Sequence, residues 1–516
     1  MLAPRKIALP VSLLAALTLS MTGAASAWAD GGVPQDIHAK DTFAVVWARL
    51  QASGFRGEHE GLDWAALKAE HQPDIENATD IHGLRRELNE LLVDLKASHL
   101  VLLPNEAVAT SEATVPLDDT PYENESNVGG KDPVDAPVSP NASGTGGTPA
   151  ATGYGDFGLR PTLVDGQVLV ERVVPGFPAE RAGVRPGWRI DRIARLNVSN
   201  AMAALRTQPQ EASRNGETML LGGVLALLDI YAPGETSNMR FIDREGRPHA
   251  LALKAAPNPN IQPIFLPGIP QMPMRYGHRR IALPGGGCAV LIEFSQWAMP
   301  AFDNVVETLR EHGGCRGAIL DLRGNSGGMI ASMGAIGGLF VDTPTSLGTL
   351  TTGGGELKLA ALPRVVDNAG RDIRRFSGPL AILIDRGSVS CSDMFSASMQ
   401  ALGRARIFGV TSAGMALPAA STPLPSGDRL LYPIAEFVDA AGRRIEGVGT
   451  VPDQIVMPTV AALSAGGDPI LDAALAWIGT DPKPKTAPLA AAPAATASDT
   501  ASDATPHTTS RSGTTR

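Results

Sequence analysis

Three stretches of this sequence hold side chains that could act on one another chemically. The first is Leu380 to Leu402, LAILIDRGSVSCSDMFSASMQAL, where Ser388, Ser390 and Ser392 crowd the point at which an apolar run gives way to the helical spacing of Met394, Phe395, Met399 and Leu402. A serine at a strand, turn and helix junction is held at the carboxyl edge of a sheet, beside the free N–H groups and partial positive charge of the helix start. That placement suits a nucleophile, and a helix merely capped by Ser392 or Asp393 would be spelled the same way. The second stretch is Asp321-Leu-Arg-Gly-Asn-Ser-Gly-Gly328, directly after the apolar Ala318-Ile-Leu320. Adjacent Gly327 and Gly328 before a helical pattern let backbone N–H groups come close to a bound group, as an oxyanion hole requires. It lacks the lysine of a P-loop, which disfavours nucleotides. The third is Glu446-Gly-Val-Gly-Thr-Val-Pro-Asp453.

The elements that must position these groups follow from periodicity. Residues 280–480 alternate strand-like runs (Ala289 to Phe294, Gly317 to Leu322, Leu380 to Ile384, Ala405 to Val410) with helical patterns (Phe302 to His312, Met329 to Leu339). Such alternation implies crossover connections and a parallel α/β sheet covered by helices, with chemistry at the strands' carboxyl ends. Residues 30–104 read as an N-terminal helical domain: Phe43, Val46, Trp47 and Leu50 recur at helical spacing, as do Leu84, Leu88, Leu91, Leu92 and Leu95, and the pattern ends in Ser98-His99. Residues 105–152 and the tail 481–516 are poor in large apolar side chains and are expected to form a flexible linker and a disordered tail.

Composition narrows the functional classes. The 516-residue chain is 43% hydrophobic and 19% charged with a net charge of −9. Without a basic stripe bearing aromatics, nucleic acid is not an expected partner. Arg5 and Lys6 precede an apolar segment from Ile7 to about Leu19 and two A-x-A sites, so residues 1–29 are expected to be a secretory signal peptide. The mature chain would then be exported, periplasmic or secreted, with no later span long and apolar enough to cross a bilayer. Three cysteines, Cys288, Cys315 and Cys391, lack the paired spacing of a zinc site. Cys288 and Cys315 each precede a predicted strand, so either a disulfide or two buried thiols would satisfy the sequence. His278 and His312 fall in polar positions with no metal spacing, and neither a metal nor an organic cofactor is implied. Oligomeric state is not indicated.

Residues 153–257 contain Val174-Pro-Gly-Phe-Pro-Ala-Glu-Arg-Ala-Gly-Val-Arg-Pro-Gly-Trp-Arg-Ile190, which resembles a PDZ domain. The resemblance makes Tyr154-Gly-Asp-Phe-Gly-Leu159 the carboxylate-binding loop, with Phe157, Gly158 and Leu159 receiving a peptide C-terminus. Trp188 stands where that family usually has Asp, and residues 200–225 are longer than usual. The Gly-rich loop, the Ser390 junction and the Glu446 block, in that order behind a PDZ-like module, resemble the tail-specific or C-terminal processing serine peptidases and the related tricorn core protease. This resemblance implies a multidomain protein whose α/β catalytic core is crotonase-like or ClpP-like, with the PDZ-like β-rich module and the helical domain attached. It further implies Ser390 as nucleophile and the backbone N–H of Cys391, with that of Gly327 or Gly328, as the oxyanion hole. The better-known branch takes its general base from a lysine about 25 residues after the serine; here Met415 fills that place, and no lysine lies between Ser390 and Glu446. A thioether cannot act as a base. The tricorn-like branch instead uses a histidine in a Ser-His pair near the N-terminus, which assigns His99 as base with Ser98 and Glu446 in support. The expected activity is cleavage of protein or peptide substrates, recognised through their C-termini. The missing lysine leaves a second reading, a catalytically inactive relative that binds or scaffolds through its PDZ-like module.

Overall fold

The computed structural model describes residues 37–53, 62–95, 97–103, 154–208, 210–266, 269–367, 370–480 and 482. The expected signal peptide, the 105–152 linker and the tail beyond 482 lie outside them.

The centre is a seven-stranded sheet. Cys288–Phe294, Gly317–Asp321, Leu380–Ile384, Ala405–Gly409 and Gln454–Ile455 run parallel, and Ile261–Leu266 with Ile269–Ala282 adds an antiparallel edge. The inner strands are apolar throughout because both faces are covered. Alternation along each strand divides them between two cores: Val290, Ile292, Leu320 and Ile382 face the helices that carry Phe302 and Phe395, while Leu291, Ile319, Leu383 and Phe408 face Ile470, Ala474 and Ile478 of the helix Pro469–Gly479. The expected domain start at residue 280 falls inside the strand Ile269–Ala282, whose alternating polar residues and two prolines conceal a 14-residue edge strand. Cys288 and Cys315 are joined as a disulfide, and Cys391 is a buried free thiol.

Three helices, Ala39–Ala52, Trp64–Glu76 and Ile81–Asp94, form the N-terminal unit. Asp63 and Asp80 cap the second and third by accepting backbone N–H bonds. Their apolar faces do not close on themselves. Phe43, Trp47, Leu88 and Leu91 share one buried cluster with Leu424 and Leu430, which belong to the hairpin Ala419–Pro423 and Arg429–Pro433 of the sheet domain. A short strand, Val101–Leu103, pairs antiparallel with Arg429–Pro433.

Between these units in sequence lies a β-rich module with a six-stranded antiparallel sheet and the helices Pro178–Arg181, Val198–Leu205 and Gln210–Asp229. The long insertion at 200–225 is thus mostly helix. Trp188 stacks on His249 at 4.3 Å between ring centroids.

The module is fastened to the sheet domain through charge. Arg323, from the Gly-rich loop, reaches Glu171 of the module at 2.9 Å, Asp321 at 2.6 Å and Asp468 at 2.8 Å, with only 8% of its side chain exposed. Burial raises the Glu171 carboxyl to about 7, against the pull of Arg323. Removing one partner of a buried ionic cluster leaves the others uncompensated. Arg323→Ala is therefore expected to lower the unfolding free energy by about 3–5 kcal/mol and to release the β-rich module at lower urea, as followed by Trp188 fluorescence. An unchanged urea midpoint would show that apolar contacts alone hold the module.

Candidate active site

The junction after Leu380–Ile384 is built from side chains that satisfy a strained backbone. The Asp385 carboxylate accepts from the N–H groups of Gly324 and Gly387, both at 2.9 Å, tying the two strand-end loops together. Ser388 is spent on this frame: its hydroxyl donates to the Leu322 carbonyl at 2.8 Å and accepts from the Asp385 N–H at 3.0 Å. Ser392 is spent as well, accepting from Trp297 Nε1 at 2.9 Å and donating to the Asn325 carbonyl at 3.2 Å. Ser390 differs from both. It sits at the N-cap of Cys391–Ala401 without making a side-chain cap bond, and its backbone has φ 57° and ψ −115°. A non-glycine residue held so far from the usual wells signals a site whose surroundings overrule local preference. The capping reading for Ser392 or Asp393 fails because both lie inside the first helical turn.

Asp393 does something else. Fully buried, it accepts from the Gly414 N–H at 3.1 Å and the Met415 N–H at 3.3 Å, and it also accepts from the Ser412 hydroxyl. Burial raises its carboxyl to about 6, opposed by those bonds. The loop it holds returns the favour: the Met415 carbonyl accepts the Ser390 N–H at 2.8 Å.

From Met415 the contacts run to the N-terminal unit. The Ala416 N–H donates to Glu446 Oε2 at 2.7 Å, and the Ser98 N–H donates to Glu446 Oε1 at 3.4 Å. Ser98 Oγ lies 2.8 Å from His99 Nδ1 and also bonds the Glu446 carboxyl. A Ser98 hydroxyl that donates to the Glu446 carboxylate accepts from Nδ1–H, the tautomer that leaves the Nε2 lone pair free. His99 adopts φ 61° in the turn just before Val101–Leu103. Part of the residue reaches solvent, yet its ring is packed round by protein, and burial lowers its pKa to about 4. Burial pushes Glu446 up to about 7, against the Ala416 and Ser98 bonds. The 412–416 loop thus links the predicted residues: it bonds the Ser390 backbone N–H on one side and Glu446 on the other, and Glu446 in turn bonds the Ser98 N–H beside His99. Met415, in the position expected of lysine, is buried and supplies backbone groups, its carbonyl to Ser390 and its N–H to Asp393.

The Gly-rich loop lies against the same serine. A Cβ on Gly327, whose φ is +95°, would stand 2.6 Å from Ser390 Cβ, and one on Gly328 would stand 2.2 Å from the Trp297 carbonyl oxygen. The expected choice between the two N–H groups needs a correction: that of Gly327 is taken by Asn325 Oδ1 at 2.9 Å. Those of Gly328 and Cys391 make no backbone–backbone bond among the described residues, and both lie beside the Cys391 sulfur, a weak acceptor. The Cys391 thiol is raised to about 12 by burial, which removes it as a thiolate nucleophile.

The expected carboxylate loop of the β-rich module also departs from expectation. The Gly158 N–H is occupied by Asp156 Oδ1 at 2.6 Å, and Asp156 is itself clamped by Arg160 at 2.8 Å. Phe157 is buried edge-on against Tyr231, and Leu159 enters a strand paired with Val173. An acidic residue two positions before Gly158 was the visible signal for this closure. Trp297, Asn325, Asp385 and Asp393 were not anticipated as site-building residues. Asn325 stood within the Gly-rich motif, whereas nothing local marks Trp297.

Residues 288–456, which hold the Gly-rich loop, the Ser390 junction and Glu446, match Peptidase family S41. Over 321 residues the chain is 26% identical to the chloroplastic carboxyl-terminal-processing peptidase 2 of Arabidopsis thaliana, covering 60% of this chain and 54% of that protein. Over 315 residues it is 22% identical to the carboxy-terminal processing protease CtpA of Bacillus subtilis strain 168, covering 60% and 56%. The chain thus spans about half the length of these curated relatives. In fold it is similar to mature CPAF complexed with lactacystin, with a TM-score of 0.50, 12% identity, and coverage of 86% of this chain and 98% of that one. The match to Peptidase family S41 thus falls on the segment that carries both strand-end loops and Glu446.

Proposed function

We propose that this chain is an exported serine peptidase that cleaves protein or peptide substrates with Ser390 as nucleophile and His99 as general base. One observation carries the reading: the unbroken hydrogen-bond path from Ser390 through the Met415–Ala416 backbone and Glu446 to the Ser98–His99 pair. His99 Nε2 takes the Ser390 hydroxyl proton as Oγ attacks the carbonyl carbon, and returns it to the leaving amine. Ser98 and Glu446 fix the imidazole tautomer and favour the imidazolium as it forms. The backbone N–H groups of Cys391 and Gly328 receive the developing oxyanion, and Gly327 gives the room beside Ser390. A base of tricorn-like type replaces the amine that Met415 cannot supply. The PDZ-like module would present substrate C-termini, although its Gly158 N–H must first be released by Asp156. Export rests on the charged, apolar and A-x-A pattern of residues 1–29.

Ser390→Ala should abolish labelling by a serine-directed fluorophosphonate and reduce peptide cleavage to background. His99→Ala should lower kcat/KM by about 10²–10⁴-fold. Full activity of either variant would remove that residue from the mechanism. A wild-type chain that neither labels nor cleaves would favour the inactive binding relative that Met415 also fits.

The pH profile offers a separate check. His99 has a depressed pKa, so it stays neutral and competent until the pH falls to about 4, where kcat/KM should collapse. Glu446 has a raised pKa, so it gains a proton as the pH falls through about 7, which should give a partial step there. Glu446→Gln should erase that step and cost about 10- to 100-fold, the worth of one charge-assisted hydrogen bond. A single limb near 6.5 in wild type, unmoved in the variant, would contradict the assignment.

A further inference from the structure

We propose that His278, Glu311 and His312 form a site for a borderline divalent transition ion of the Zn²⁺ class, remote from the serine. The imidazole nitrogens and a carboxylate oxygen of these residues all lie within 4.8 Å of one another. Sequence spacing hides the set because His278 belongs to the edge strand Ile269–Ala282, while Glu311 and His312 end the helix Met299–Glu311.

The distances separate this cluster from the hydrogen-bonded histidine–carboxylate pairs, and the exposed His38–Asp41 pair at 4.0 Å belongs to no cluster of three such ligands among the described residues. Two histidine–carboxylate pairs in the same molecule are in hydrogen-bond contact, His71 with Asp94 at 2.9 Å and His249 with Asp243 at 2.8 Å. In the triad, Glu311 lies 3.6 Å from His278 Nε2 through one oxygen and 3.6 Å from His312 Nε2 through the other. That is too long for a hydrogen bond; with one ligand atom taken from each residue the set spans up to 4.8 Å, so the side chains would draw together by about 1 Å to reach the edge of a zinc tetrahedron, about 3.3–3.5 Å for bonds of about 2.0–2.2 Å. Two imidazoles and one carboxylate favour such an ion over Mg²⁺ or Ca²⁺, which prefer all-oxygen shells, and they leave a fourth position for water.

The corner is also built to hold its shape. The His312 carbonyl accepts the Cys315 N–H at 2.9 Å, and Cys315 is covalently tied to Cys288 at the start of the next strand. His278 is held by the strand ladder opposite Ile292. His278 and Glu311 line a cavity of ≈ 440 Å³, which gives an ion a path to the site. The helix runs back from the carboxyl ends of the strands, so this corner faces away from the Ser390 edge. The bound ion would clamp the antiparallel edge strand to the helix terminus.

The test uses the full chain stripped with a chelator, dialysed, and titrated with Zn²⁺ alone by calorimetry. One equivalent should bind to wild type. His278→Ala and His312→Ala should each weaken binding by at least about tenfold, the lower bound set by loss of a mere outer-shell partner of a ligand. His71→Ala should not weaken it, and Ser390 labelling should be unaffected in all three. A variant-free measurement covers a folding failure: Zn²⁺ should protect His278 and His312, but not exposed His82, from diethylpyrocarbonate, read by peptide mass spectrometry. Absence of stoichiometric binding, binding undiminished in both ligand variants, or no selective protection would each overturn the site.

Discussion

A buried ion pair between chain segments more than three hundred residues apart sets the geometry on which the site depends. Arg85, on the third N-terminal helix, makes a two-pronged contact with Asp428 at 2.9 and 2.7 Å, and the Asp428 side chain is wholly buried. Such a pair contributes little net stability against an apolar replacement, yet it is strongly directional and costly to break from one side. Here it fixes how the helical unit sits on the hairpin Ala419–Pro423 and Arg429–Pro433. The shared apolar cluster and the Val101–Leu103 pairing complete the docking. His99 lies two residues before that strand, so the register of three backbone pairs determines where the imidazole stands.

The other side of the site is made rigid by buried carboxylates. Asp385 joins the two strand-end loops, and Asp393 binds the 412–415 loop that in turn accepts the Ser390 N–H. Both groups are held away from water, where an ionised carboxylate survives only by collecting N–H and O–H donors. These donors come from backbone that could adopt no regular structure. The positive φ at Ser390 and His99 is the residue of this arrangement: each is strained, and each is tied to a carboxylate through one intermediary. That pattern is what preorganised polar sites require, because dipoles fixed beforehand need not reorient as charge develops.

Much of this was legible in the sequence. The alternating apolar runs between residues 289 and 410 gave the parallel strands to within a residue or two, because strands buried on both faces leave an uninterrupted apolar signal. The junction at Ser390 was visible for the same reason, and so were the leucine-rich helices ending at Ser98-His99. Three features were hidden. The edge strand Ile269–Ala282 mixes polar residues and prolines, so its periodicity is weak. Apart from the family resemblance, the choice among Ser388, Ser390 and Ser392 depends on which hydroxyls the neighbouring loops consume, and the occupied N–H of Gly327 depends likewise on the Asn325 side chain. Contacts such as Arg85 with Asp428 or His278 with Glu311 join remote segments, and one sequence holds no periodic trace of them.

The central claim is that an imidazole from the N-terminal unit serves the serine at the sheet edge. The most direct measurement is a crystal structure of the wild-type chain after reaction with a fluorophosphonate. The account predicts phosphorus bonded to Ser390 Oγ, His99 Nε2 within about 2.6–3.2 Å of an adduct oxygen, and a phosphoryl oxygen received by the N–H groups of Gly328 and Cys391. Phosphorus on another residue, or an adduct at Ser390 with His99 out of hydrogen-bond reach, would contradict it.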